Sequence, residues 1–171
     1  LNYGSAGSGS ATHISAELFN SMAGIALTRV AYKGAAPALQ DVIAGHVDMM
    51  FATAASVVGH IRSGQVRALA VTTPKRTAVM PEIATIDELG LKGFDATTWH
   101  GLVVPAGTSK EIIAALYDAT KKTLADPGVR SRLLELGAEL EGGGAQRFAD
   151  FLRSESDKWG AVVKAAGVKQ D

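Results

Sequence analysis

Cysteine is absent from all 171 residues. That excludes disulfides, thiolate nucleophiles and thiolate metal sites, and it leaves the compartment open, because many periplasmic proteins also do without cysteine. A surplus of charge is missing too: 17 basic and 17 acidic side chains sum to a formal net charge of zero. Nucleic acid is thereby a poor main partner, since backbone phosphates are met by a basic excess. No run approaches the roughly 20 apolar residues of a membrane-spanning helix. His13, His46, His60 and His100 show no metal-ligand spacing. No serine sits in a Gly-x-Ser-x-Gly elbow, no phosphate-loop lysine follows the glycines, and no paired carboxylates offer acid–base chemistry. An initiator methionine and a signal peptide are also lacking: Leu1-Asn2-Tyr3 reads as a strand already under way, which predicts a piece of a longer protein.

What is present begins with Tyr3-Gly4-Ser5-Ala6-Gly7-Ser8-Gly9-Ser10-Ala11-Thr12-His13, a glycine- and serine-rich turn running into an amphipathic segment. Glycines permit positive φ and close approach of backbone to a ligand. Ser10 is a good N-cap for a helix from Ala11 to Ala23, whose face is Ile14, Leu18, Phe19 and Met22 and whose stop is Gly24. The free N–H groups and positive dipole end of such a helix favour a phosphate or carboxylate. A solvated glycine–serine linker is the plain alternative.

Beyond the first helix, Ile25 to Tyr32 reads as a strand, a helix opens near Pro37 and closes at Gly45, and Val47 to Phe51 makes a brief strand. Ala52 to Val58 reads as helix, and Val66 to Val71 as a strong buried strand. Alternation of this kind means parallel pairing with helices on both faces, and ligands then sit beyond the carboxyl ends of the strands. Thr73 to Asp95 is an irregular connection with a short helix over Ile86 to Leu89. Thr97 to Val104 predicts another strand. A capping box of Thr108 and Glu111 predicts a helix with Ile112, Ile113, Leu116 and Leu124 on one face. Asp126-Pro127 opens a further helix ending at Gly137. After Gly142-Gly143-Gly144 comes a last one carrying Phe148, Phe151, Leu152, Trp159, Val162 and Val163, stopped by Gly167. This second half is mainly helical and needs residues from elsewhere to complete its sheet.

Five blocks, in order, carry a resemblance: the opening turn, Ala31-Tyr32-Lys33-Gly34-Ala35-Ala36-Pro37-Ala38, Ile43 to Phe51, Arg67 to Thr72, and Trp99 to Thr108. Together they resemble the tripartite tricarboxylate transporter substrate-binding family, the Bug or TctC family of extracytoplasmic solute receptors. The resemblance implies an α/β fold of the type II periplasmic-binding kind, with two lobes closing on a small carboxylated solute and presenting it to a membrane permease. It implies one parallel-sheet lobe at residues 1–95 and, at 96–171, a return segment completing the other lobe, with the N-terminal part of that lobe and the signal peptide absent. A periplasmic location, no enzymatic activity and no cofactor or metal follow in the same way.

By that resemblance, Ser5, Ala6, Gly7, Ser8, Gly9 and Ser10 hold one ligand carboxylate. His13, in the first helical turn, either donates to the anion or braces the loop. Tyr32 either lines the site or joins the core, Lys33 brings charge or is merely solvated, and Thr53 is offered at the end of the third strand. Trp99 either covers the ligand where the chain crosses between lobes or is a buried aromatic. Asp41 and Asp48 are structural, and Met49, Met50 and Phe51 are core. The alternative from another class is an NADP-type or other phosphate-binding α/β enzyme, with the loop on one phosphate and Arg29 on a second. Against it, Thr12 stands where the last glycine of a dinucleotide fingerprint belongs, and no acidic ribose partner ends the next strand. The half-core left exposed predicts pairing with a second copy, by swapping or through an apolar interface.

Overall fold

A computed structural model describes residues 1–140 and 143–168. Gly142, the first glycine of the triplet ahead of the last helix, and the tail from residue 169 onward lie outside the described residues. The first sixty residues build a three-stranded parallel sheet of β1 (Asn2–Ser5), β2 (Thr28–Ala31) and β3 (Met49–Met50), in the order β2-β1-β3. Asn2 pairs with Thr28 and Ser5 with Ala31 on one side of β1, and Tyr3 with Met49 on the other. Helices α1 (Ala11–Ala23) and α2 (Ala35–Ile43) make the two crossovers, and α3 (Ala54–Arg62) follows β3.

Side chains alternate across a strand, and β1 shows what that demands. Tyr3 points to the α1 side, where its hydroxyl donates to Glu17 at 2.7 Å, and it is fully buried. Gly4 points to the α2 side, where a Cβ would stand 3.2 Å from the Cβ of Ala38. Only a residue without a side chain lets α2 lie so close to the central strand. The core gathers Tyr3, Ala16, Phe51, Ile86, Phe94 and Ala96, with the Phe19 ring 5.7 Å from Phe51 and 6.2 Å from Phe94.

Helix ends follow their sequence signals. Gly24 stops α1 at φ +65° with its N–H donated to the Asn20 carbonyl, and Asp126 caps α5 (Pro127–Glu135) by accepting from Gly128 and Val129. Gly167 ends α6 (Ala145–Ala166) in the left-handed region. Helix α6 lies against α1, and its Trp159 packs on the core under the sheet.

Four expectations are corrected. Val66 to Val71 is no ladder strand: only Val71 forms a bridge, to Thr85, and Leu69 is 62% exposed. Thr97 to Val104 likewise pairs with no strand among the described residues, leaving Leu102 73% and Val103 79% exposed. Both segments have the composition of strands, but strand preference is realised only against a neighbour, and among the described residues the one pairing is that of Val71 with Thr85. Ile86 to Leu89 is a run of turns rather than a helix. The cap of α4 (Lys110–Ala125) is Ser109, whose hydroxyl accepts from the Ile112 N–H, while Thr108 donates to the Pro105 carbonyl at 2.8 Å. The predicted apolar face of α4 is formed, yet Ile112 and Leu116 are exposed.

Candidate functional site

All three strands point their carboxyl ends at one edge, where the β1–α1 loop, Tyr32-Lys33-Gly34 and Ala52-Thr53 emerge. From β1 the chain moves outward to β2, then returns across β1 to β3. The crevice at this reversal, between the ends of β1 and β3, is where open parallel sheets receive ligands.

The loop over residues 6–10 is wound by its own side chains. Ser10 donates its hydroxyl to the Gly7 carbonyl at 2.7 Å and accepts from the His13 N–H at 3.3 Å, which is the N-cap bond of α1. Having spent its one proton, Ser10 accepts in its 2.9 Å contact with the Thr12 hydroxyl, and Thr12 in turn accepts the Ala6 N–H at 2.8 Å. The Gly9 N–H donates to His13 Nδ1 at 3.1 Å. Gly7 takes φ +122°, a conformation barred to most side chains, and a Cβ there would approach the Tyr32 carbonyl.

After this accounting, the N–H groups of Gly7, Ala11 and Thr12 have no protein acceptor among the described residues. Ser5 Oγ, at the loop's root, is buried and has no protein partner among them either. No acidic residue stands in the first turn of α1. The loop thus presents unpaired donors and the positive end of a helix dipole, an arrangement suited to an anion.

The remaining predicted residues are placed as follows. His13, buried to 6% exposure, braces the loop rather than facing outward, with Arg29 Nη1 at 3.0 Å from the same Nδ1 and Glu17 Oε1 at 3.7 Å from Nε2. Tyr32 commits its hydroxyl to Asp41 at 2.6 Å. That bond holds the Asp41 carboxyl below its ordinary range, with His46 adding to the effect, and raises the Tyr32 hydroxyl. Lys33 is exposed beside the loop's edge of the sheet. Thr53 is the exposed first residue ahead of α3, its hydroxyl donated to Ser56 at 3.1 Å. Ser8 lies half-buried within the loop. Trp99 stacks edge-on against Phe148 and Phe151 of α6, at 5.8 and 5.4 Å. Asp48 is structural as expected, exchanging two bonds with Asn2.

Sequence reasoning missed Thr12, Glu17 and Arg29 as parts of this loop's framework. The signal was weak: Thr12, His13 and Glu17 lie among six polar residues of this helix, with Ser15, Asn20 and Ser21, and nothing in their spacing sets them apart. Among the described residues no group of three or more His, Asp or Glu side chains could hold a metal, and no helix is long and apolar enough to cross a membrane.

Comparison with known proteins agrees with this architecture. A family model described as "Tripartite tricarboxylate transporter family receptor" matches residues 1–168. A Pseudomonas sp. (strain P51) protein described as "UPF0065 protein in tcbD-tcbE intergenic region" is 37% identical over 164 residues, covering 95% of this chain and 49% of its own. A Rhodopseudomonas palustris protein solved with adipate superimposes with a TM-score of 0.88 at 35% identity, over 98% of this chain and 56% of the other. The periplasmic binding protein BugD gives 0.86 at 34% identity, over 100% and 58%. MatC from R. palustris, solved with bound malate, gives 0.83 at 35% identity, over 95% and 56%. The chain therefore spans about half the length of these relatives. With an α/β parallel sheet of the type II periplasmic-binding kind and a family match along nearly its whole length, the chain belongs to the tripartite tricarboxylate transporter receptors, the TctC or Bug family of solute-binding proteins.

Proposed function

We propose that this chain supplies one wall of a periplasmic receptor that captures a small carboxylate and delivers it to a tripartite tricarboxylate-type permease, without chemistry of its own. The observation that carries the reading is the trio of unpaired amides at Gly7, Ala11 and Thr12 on the carboxyl edge of the sheet. Ser5, Ala6, Ser8, Gly9 and Ser10 complete the loop around one carboxylate, and Lys33 and Thr53 flank it from the neighbouring strand ends. Adipate and malate in the solved relatives suggest a dicarboxylate.

Magnitudes fix what one wall can do. Each charge-assisted bond contributes about 1.5 to 3 kcal/mol, and the helix terminus adds roughly 1. Association costs on the order of 4 to 15 kcal/mol, against the 8 or so that micromolar affinity requires net. Three amides leave little surplus, so a second lobe closes over the ligand and supplies the rest. The division near residue 95 belongs to the same reading, supported by the exposed apolar side chains of Leu102, Val103, Ile112 and Leu116 beyond it.

A thermal-shift screen of adipate, malate, citrate and glutamate, with NADP as the competing class, tests this on a receptor of the relatives' full length beside the present chain. A shift of several degrees with one carboxylate in the longer receptor, and little in the chain, is the expected result. A shift with NADP and none with any acid contradicts it.

A further inference from the structure

The His13 imidazole is the meeting point of three elements, and its surroundings fix its tautomer. Its Nδ1 receives two donors, the Gly9 N–H at 3.1 Å and Arg29 Nη1 at 3.0 Å. A backbone N–H and a guanidinium can only donate, so Nδ1 carries the lone pair and the ring proton sits on Nε2. On that side stands Glu17, Oε1 at 3.7 Å, itself accepting from the Tyr3 hydroxyl at 2.7 Å. A chain of contacts thus runs from β1 through α1 to β2: Tyr3, Glu17, His13, Arg29. Arg29 has no carboxylate within ion-pair distance among the described residues, and its one side-chain hydrogen bond is to the imidazole.

We propose that His13, fixed as the neutral Nε2–H tautomer between Glu17 and Arg29, is a positioning residue for the carboxylate-binding loop, and that Arg29 and Glu17 act on ligand affinity through it without touching ligand. This rests on the loop's being the carboxylate site. Five residues of loop need a fixed path if the amides of Gly7, Ala11 and Thr12 are to converge. Ser10 fixes one end through the Gly7 carbonyl, and His13 fixes the other by taking the Gly9 N–H. That bond also removes the Gly9 amide from the donors available to ligand. A hydrogen on Nδ1 would face the Arg29 guanidinium and expel the Gly9 N–H. A preset loop binds more tightly because less freedom is lost on binding.

The test uses the chain with ring-¹⁵N histidine, and His13→Phe and Arg29→Met variants of both this chain and the full-length receptor. In the chain, the His13 ring should show an unprotonated Nδ1 and a protonated Nε2. In His13→Phe, which keeps an aromatic of similar volume, amide exchange at Gly9 should quicken by tenfold or more while that at Ala16, inside α1, stays unchanged. Arg29→Met should shift the His13 ring signals and also quicken Gly9. In the receptor, adipate or malate affinity should fall about tenfold in both variants. A protonated Nδ1, or Gly9 exchange unchanged in His13→Phe, overturns the proposal whether or not any acid binds. Full affinity in both variants also overturns it and leaves the carboxylate reading intact. Failure of every acid to bind the unaltered receptor refutes that reading instead.

Discussion

Replacing Ser10 with alanine probes the loop at its tightest point. The Ser10 hydroxyl makes three interactions: it donates to Gly7 at 2.7 Å, accepts from the His13 N–H at 3.3 Å and meets Thr12 at 2.9 Å. Losing an N-cap serine costs about 1 kcal/mol. Leaving the Gly7 carbonyl without its short bond costs about 1 kcal/mol more. The sum, about 2 kcal/mol, lowers Tm by roughly 4 to 8 °C in a chain of this size. Ser109→Ala is the matched control, since Ser109 also caps a helix but does so at the surface, accepting from the Ile112 N–H at 3.4 Å and bonding the exposed Glu111 carboxylate. Its cost should be about 0.5 kcal/mol, at the low end of capping effects. Thermal unfolding followed by far-ultraviolet circular dichroism at pH 7 reads both. A Ser10→Ala shift no larger than that of Ser109→Ala would refute the view that Ser10 ties the loop as well as capping the helix.

Three further outcomes follow from individual contacts. Gly101→Ala should destabilise the packing of α6, because the new Cβ would collide with the Phe148 ring and displace it from its edge-on contact with Trp99; a loss of about 1 to 3 kcal/mol is expected in urea unfolding, and an unchanged midpoint contradicts it. Tyr3 is held protonated, first by burial and then by the Glu17 carboxylate, so its hydroxyl titrates well above the ordinary value. The folded state then keeps a proton that the unfolded chain sheds, so stability present below about pH 10 is lost above it, by at most about 1.4 kcal/mol per pH unit. Tyr3→Phe should flatten that alkaline slope in urea midpoints measured at rising pH, and an equal slope in the variant refutes the assignment. Asp41 is depressed chiefly by the Tyr32 hydroxyl, so its contribution is present above the usual carboxylate range and lost as pH falls through its lowered pKa. In Tyr32→Phe, the Asp41 carboxyl should titrate nearer the ordinary value by carbon-13 NMR, and an unmoved titration contradicts it.

Helix boundaries were legible wherever a local device sets them. Ser10 and Gly24 for α1, Asp126 for α5 and Gly167 for α6 act through bonds within a few residues, and the sequence displays every partner. Position 109 shows the limit. Thr108 and Ser109 are both able caps, and choosing between them depends on Thr108 having the Pro105 carbonyl to donate to. Strands at 66–71 and 97–104 were misjudged for a deeper reason, because an apolar run states a willingness to pair, whereas pairing needs a neighbour. The loop's unpaired amides at the start of a helix were legible from glycine, serine and the N-cap. Its framework was not: the link from His13 to Arg29 spans 16 residues and joins α1 to β2, a distance no motif records. Tyr32 was ambiguous for the same reason, since its hydroxyl is claimed by Asp41 nine positions later, on the far side of a turn.

The most direct test is an amide NMR titration of the ¹⁵N-labelled chain with adipate and, separately, with NADP. Such a titration registers even the weak binding expected of one wall. Adipate should move the Gly7, Ala11 and Thr12 amides most, with Gly9, spent on His13, moving less. Amides that stay fixed with adipate, or that respond to NADP alone, would contradict the carboxylate site.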